Sequence, residues 1–246
     1  YKRSLNASFR IAIADDLVRK NPFDFKLNEV IEDDRKKRQA LTEEQEEKLL
    51  SFVRKDRVYK KHYDAIVILL KTGLRISELC GLTRQDIDLE SGVIHVNHQL
   101  LYSKETGYYI ETPYKRNGVR DFPMSREVKQ AFERVMAERK KSHPITIDGY
   151  SGFLFLNGKG YPMINAYYTA TFSNLTKKYN KYHEDSLPKI TPHILRHTFC
   201  TRLANRNMNP KSLQYIMGHS NISITLNLYA HASAESVKAE LRSMIA

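Results

Sequence analysis

Midway along this chain the hydrophobic pattern leaves helical spacing for short strand-like runs, and then returns to it. Upstream, residues 62–72 form a strongly apolar helical pattern stopped by Gly73, and a short helix over 76–79 leads into a turn at Asp86. Val93-Ile94-His95-Val96, Tyr108-Tyr109-Ile110-Glu111-Thr112 and Arg120-Asp121-Phe122-Pro123 then read as three short strands. Gly107 and Asn117-Gly118 mark their turns, the second being a strong hairpin signal. Helical patterns resume over 125–139, 165–179, 194–205 and 210–217. The expected fold is mainly α, with a small antiparallel β-sheet inserted after its second or third helix.

The beginning of the chain is organised differently. Leu5, Phe9, Ile13 and Leu17 recur at helical spacing, so the first twenty residues read as a helix with Asn21-Pro22 as its stop. Residues 24–38 are charged and aperiodic. A new unit opens at Leu41-Thr42-Glu43-Glu44-Gln45, where Thr42 is an N-cap candidate and Gln45 stands in capping-box position ahead of Leu49, Leu50 and Val53. The expected division is a terminal helix over 1–25, a linker over 26–40 and one large domain over 41–246. A chain of 246 residues can bury a substantial core. It starts at Tyr1 without methionine and is expected to be a fragment, so its silence about targeting carries no weight.

Charge narrows the class of partner. Forty Lys and Arg against 28 Asp and Glu leave a net charge of +12, which favours nucleic acid first and a membrane surface second. No long amphipathic basic helix suggests lipid, and no run approaches the apolar length of a membrane span. Cys80 and Cys200 lie far apart within apolar helical pattern, so they read as buried thiols in a reducing compartment.

Residues 191–231 concentrate chemistry. His193 and Arg196 are three apart and share a helical face, and His193 follows Thr191-Pro192 in the first turn, where it could act as acid, base or donor. His219 follows Gly218, and Tyr229 lies beyond it. A phenol attacks a phosphodiester only where cations stabilise the developing charge. Arg75, just past a buried helix, and Arg196 are the candidates for that clamp, since two guanidiniums can grip both non-bridging oxygens. The plain alternatives are a salt bridge from Arg75 to Glu78, a helix-terminus role for His219 and a core role for Tyr229. Neither histidine belongs to a metal-binding pattern, so no metal and no cofactor is expected.

The motifs carry a resemblance. Thr72-Gly73-Leu74-Arg75-Ile76-Ser77-Glu78-Leu79, Thr191-Pro192-His193-Ile194-Leu195-Arg196-His197-Thr198-Phe199, Met217-Gly218-His219-Ser220 and Leu228-Tyr229-Ala230-His231 match, in order and spacing, those of the tyrosine recombinase (phage-integrase-like) family. Within it the chain resembles the integrases of Gram-positive conjugative transposons. The match runs from about Leu41 to the C-terminus, and residues 1–25 resemble the final helix of the family's core DNA-binding domain.

The resemblance implies the tyrosine recombinase catalytic-domain fold. It also implies a catalytic set of Arg75, Lys115, His193, Arg196, His219 and Tyr229, with Glu78 supporting. Tyr229 would attack DNA to form a 3′-phosphotyrosyl bond and release a 5′-hydroxyl, Arg75, Arg196 and His219 would stabilise the phosphorane, and His193 would assist at the tyrosine. Lys115 would protonate the leaving oxygen from the tip of a hairpin. Relatives often read Pro-Lys-Thr-Lys-Ser-Gly where this chain has Pro113-Tyr114-Lys115-Arg116-Asn117-Gly118, so Lys115 is one place off register and Lys104 is the reserve. Arg116, Lys104 and Arg202 are expected to bind DNA.

The implied partner is double-stranded DNA, bound by a DNA-dependent dimer or tetramer with an accessory DNA-bending or directionality factor. The setting would be the bacterial cytoplasm, on the nucleoid when bound, and not a membrane. Val237, Leu241, Met244 and Ile245 fall on one helical face, which would dock on a neighbouring protomer or cap its own domain. Two rival functions use the same features: a type IB topoisomerase-like relaxing enzyme, and a non-catalytic basic DNA-binding module.

Overall fold

The computed structural model describes residues 2–25, 39–112, 119–138 and 145–229. Lys115, Arg116, the Asn117-Gly118 turn and the 233–246 segment lie outside the described residues. The chain divides into two compact units, Tyr1–Lys37 and Arg38–Ala246.

In the first unit, helix α1 (Lys2–Ala14) ends before the hydrophobic spacing does. Asp16 takes a left-handed conformation at φ 54. Asp16 N–H then reaches the Ile13 carbonyl at 3.1 Å and Leu17 N–H the Ala12 carbonyl at 2.8 Å, a Schellman closure. Asn21 is therefore not the helix stop. Its side chain donates to Asn6 Oδ1 at 2.8 Å, and Phe23 packs on Phe9 with ring centroids 5.3 Å apart, folding the segment back on α1.

The second unit is built around one helix whose middle is buried on every side. Helix α2 (Glu43–Lys55) starts with the anticipated capping box, Thr42 and Gln45 each bonding the other's backbone N–H at 3.1 Å. Helix α3 (Tyr63–Thr72) follows, and Ala65, Ile66, Val67, Ile68, Leu69 and Leu70 are each no more than 4% exposed. A helix apolar all round belongs at the centre of a core. Around it pack α5 (Arg126–Glu138) and α7 (Pro192–Asn205). Thr191 caps α7 by accepting from Ile194 N–H at 3.2 Å, with Pro192 at the first helical position. The remaining helices are α4 (Ile76–Gly81), α6 (Asn165–Tyr182), α8 (Pro210–Met217) and α9 (Ile222–Leu226).

The inserted β structure is two small sheets, which corrects the single sheet anticipated. Strands β1 (Ile87–Asp88), β2 (Val93–Val96) and β5 (Arg120–Pro123) form one antiparallel sheet in the order β1-β2-β5. Strands β3 (Gln99–Ser103) and β4 (Gly107–Glu111) form a separate hairpin. β4 thus pairs with β3, while β5 pairs with β2. β3 escaped notice because Leu100 and Leu101 stand side by side and break the alternation, and it begins only a few residues after β2. In the three-stranded sheet, Ile94 pairs with Phe122 and Val96 with Arg120, so Arg120 and Phe122 point to the inner face together.

Candidate active site

The site assembles where the carboxyl ends of α3 and α8 converge on the amino end of α4. Gly73 caps α3 at φ 64, and a Cβ there would lie 2.5 Å from the Phe199 ring, so the turn into α4 has room only for glycine. Arg75 then occupies the N-cap of α4. Its backbone N–H donates to Glu78 Oε2 and its Nη1 to Glu78 Oε1, both at 2.7 Å, while Nη2 donates to the Gly218 carbonyl at 2.6 Å. Arg196, one turn into α7, donates from Nη1 to the Gly73 carbonyl at 2.6 Å and from Nη2 to the Met217 carbonyl. Both guanidiniums thus rest on carbonyls that helix ends leave without partners, at the negative pole of the helix dipole.

Glu78 is the hub. It is 5% exposed and accepts both from Arg75 and, at 3.0 and 2.8 Å, from Nη1 and Nη2 of Arg120. Burial pushes its carboxyl up, but the hydrogen bonds from Arg120 and the charges of Arg120, Arg75 and Arg196 pull it down to about 2. The salt bridge from Arg75 to Glu78 weighed from sequence therefore exists, and it coexists with a cluster of cations. Burial, and then the neighbouring Arg75, lower Arg196 to about 10, which leaves it charged at neutral pH.

His219 follows Gly218, which sits at φ 60, with its virtual Cβ 3.0 Å from Arg120 Nη1 and 3.2 Å from Arg75 Nη1. The ring Nδ1 of His219 is 3.0 Å from the buried Thr225 Oγ1. Burial, helped by the charges of Arg196, Arg75 and Arg120, lowers His219 to about 4, so its ring is neutral at neutral pH. His193 is exposed in the first turn of α7, one turn from Arg196.

Tyr229 lies in the turn after α9 rather than within a helix, with its N–H bonded to the Leu226 carbonyl at 2.9 Å. Its hydroxyl donates to the Met208 carbonyl. Burial raises its pKa and Cys200 adds to the rise, so in this arrangement the phenol is held protonated by its surroundings.

The other expected residues separate. Lys104 is exposed in the β3–β4 turn. Arg202 is drawn into an ion pair with the buried Glu46, which also holds Lys71 at 2.8 Å, so its guanidinium serves that network. Lys115 and Arg116 fall outside the described residues. Sequence reasoning passed over Arg120, which is 2% exposed and joins Glu78 to the Ile216 carbonyl at 2.7 Å. The available signal was its phase: it alternates with Phe122, a core residue. Cys80 and Cys200 are buried thiols. Among the described residues, no group of three or more His, Cys, Asp or Glu is placed to hold a metal ion, and no helix is long and apolar enough to cross a membrane.

A helical domain with inserted strands and this order of arginine, histidine and tyrosine motifs is the architecture of a tyrosine recombinase catalytic domain. Residues 39–236 match the phage integrase family, and the chain belongs to it. The transposase from transposon Tn916 of Enterococcus faecalis is 60% identical over 242 residues, which are 98% of this chain and 60% of that protein. The chain therefore spans about 60% of the length of this relative. Tyrosine recombinase XerC of Bacillus pumilus (strain SAFR-032) is 28% identical over 237 residues, covering 96% of this chain and 70% of that one. The solved structure of the Tn1549 transposon integrase in complex with transposon right end DNA matches with a TM-score of 0.95 and 60% identity, over 100% of this chain and 78% of that one.

Proposed function

We propose that this chain is the catalytic part of a site-specific DNA recombinase that integrates and excises a mobile element through a 3′-phosphotyrosyl intermediate at Tyr229. The observation that carries this reading is the meeting of Arg75 and Arg196, from distant parts of the sequence, around one buried carboxylate, with His219 close enough to feel both charges. The DNA complex of the Tn1549 integrase supports double-stranded DNA as the partner. Residues 1–25 act as the last helix of a core DNA-binding domain, 26–40 as a linker and 41–246 as the catalytic domain.

The chemistry follows from which donors are already committed. Gly73, Gly218 and Met217 carbonyls fix the orientation of the two guanidiniums, and their remaining N–H groups grip the non-bridging oxygens of the scissile phosphate. His219 enters neutral and adds a hydrogen bond without repelling the arginines. Tyr229 gives up the Met208 carbonyl, passes its proton towards His193 and bonds through Oη to phosphorus. The bond from phosphorus to the 5′ oxygen breaks, and Lys115 supplies the proton that makes it a hydroxyl. A 5′-hydroxyl from another strand reverses the sequence. One phosphodiester replaces another, so no nucleotide cofactor is consumed.

Lys104 and Arg116 contact the DNA backbone, and the +12 charge makes binding fall steeply with salt. Arg202 is assigned to its ion pair with Glu46. The protein works as a DNA-bound dimer or tetramer in the bacterial cytoplasm, with accessory factors setting direction. The decisive experiment incubates the protein with a suicide duplex carrying a transposon right end and looks for a denaturation-resistant protein–DNA adduct. The unchanged protein forms it and Tyr229→Phe does not. An adduct of equal yield from Tyr229→Phe, or none from the unchanged protein, overturns the reading, and strand exchange between two duplexes separates a recombinase from a relaxing enzyme.

A further inference from the structure

We propose that Arg120 is a positioning residue that braces the two halves of the split site, fixing Glu78 on one side and the end of α8 that carries His219 on the other. This rests on the reading of the site as a recombinase centre, and goes beyond it by adding a residue that touches no substrate.

The geometry is specific to a guanidinium. Arg120 is 2% exposed, and its three nitrogens reach two elements far apart in the sequence. Nη1 and Nη2 grip both oxygens of Glu78 at 3.0 and 2.8 Å, and Nε donates to the Ile216 carbonyl at 2.7 Å. Glu78 in turn fixes Arg75 through its backbone N–H and Nη1. Ile216 lies in the last turn of α8, and the glycine that follows that helix packs directly on the Arg120 guanidinium. One planar fork therefore sets the position of Arg75 through Glu78 and of His219 through the α8 terminus.

Burying a cation is costly unless its hydrogen bonds are matched, and here they are matched by groups whose placement the site needs. A lysine retains the charge but has a single nitrogen, so it cannot hold both carboxylate oxygens and a carbonyl in one plane. The strand that carries Arg120 is itself fixed, since Val96 pairs with Arg120 and Ile94 with Phe122 in the three-stranded sheet.

The test uses Arg120→Gln and Arg120→Lys with two independent readouts. The first is the rate of Tyr229 adduct formation on the suicide duplex at saturating protein, with DNA affinity measured separately. The rate is expected to fall by about 100-fold for Arg120→Gln and by about 10-fold or more for Arg120→Lys, while affinity changes by less than about threefold. The second is the titration of His219 followed by NMR in the DNA-free protein. Its midpoint, held at about 4 in the unchanged protein mainly by burial, is expected to rise in both variants as losing the brace loosens that burial, and further in Arg120→Gln, which also removes one of three neighbouring positive charges.

The inference is overturned if folded Arg120→Lys cleaves within about twofold of the unchanged rate, or if His219 titrates as before. It is also overturned if the whole loss lies in affinity or in the fraction folded. Should Arg120→Gln fail to fold, Arg120→Lys decides. Should the unchanged protein form no adduct, the proposed function fails, and the His219 titration still judges the brace by itself.

Discussion

At the scale of single residues, the site is an answer to a problem of charge. Arg75, Arg120 and Arg196 crowd one carboxylate, and each is steadied by a carbonyl at a helix end as well as by Glu78 or its neighbours. Gly218 makes this approach possible, because its φ of 60 and its missing Cβ let two guanidiniums pack on its backbone. Gly218→Ala should therefore lose about 1–2 kcal/mol of stability from the left-handed backbone alone. Its larger effect should be on chemistry, because the new methyl meets Arg75 Nη1. Thermal melts and single-turnover cleavage of the suicide duplex measure the two losses separately, and an unchanged cleavage rate would show that the packing at Gly218 does not matter to the site. Arg75, Arg196, His219 and Tyr229 were legible as candidates because each lies within a recognisable motif, with Gly73, Pro192 and Gly218 punctuating the first three. Arg120 was not, because an arginine in a short strand normally reads as a solvated charge. Only its register with Phe122 gives it away.

Among the elements, α3 was the easiest to read, since an apolar run with no polar face leaves a helix no place but the centre. Capping chemistry fixed the start of α2 equally well. The β insertion was harder. Strand pairing is a non-local choice, and nothing within residues 108–112 says that their partner is β3 rather than β5. Pairing with β3 closes a tight hairpin beside α4, which leaves β5 free to cover β2 and carry Arg120 inward. Tyr229 falls in a turn for a local reason, because α9 ends at Leu226 and the following turn is held by the Leu226 carbonyl. One inter-element tie can be tested directly. Thr198 in α7 accepts from the Leu41 N–H at 2.9 Å and donates to the Ile194 carbonyl at 2.8 Å, pinning the start of this unit to the helix that bears Arg196. Thr198→Val keeps the shape and strands a buried N–H, so urea unfolding should show a loss of about 1–3 kcal/mol with an unchanged m-value. A loss below a few tenths would mean that Leu41 finds another acceptor.

For the whole molecule, the consequence of gathering cations and burying histidines is a fold that weakens in acid over two separate ranges. His62 is 2% exposed, and burial, with Lys61 adding, lowers it to about 4, as burial and the arginines do for His219. Both bind a proton in the unfolded chain near pH 6.5 but resist it when folded. Their stabilisation is therefore complete above 6.5 and is lost as pH falls from 6.5 through about 4. Glu78 runs from an ordinary 4.5 down to about 2, so its share persists to lower pH and disappears between those values. The first range should cost up to roughly 3 kcal/mol for His62 and less for the partly open His219. Melting temperature should thus be level above pH 7, fall between 6.5 and 4, and fall again towards 2. His62→Gln should flatten part of the first decline and leave the second intact. If that variant loses stability with the same slope between pH 6.5 and 4 as the unchanged protein, burial of His62 is not what sets the first range, and the slope belongs to His219 and the arginines around it.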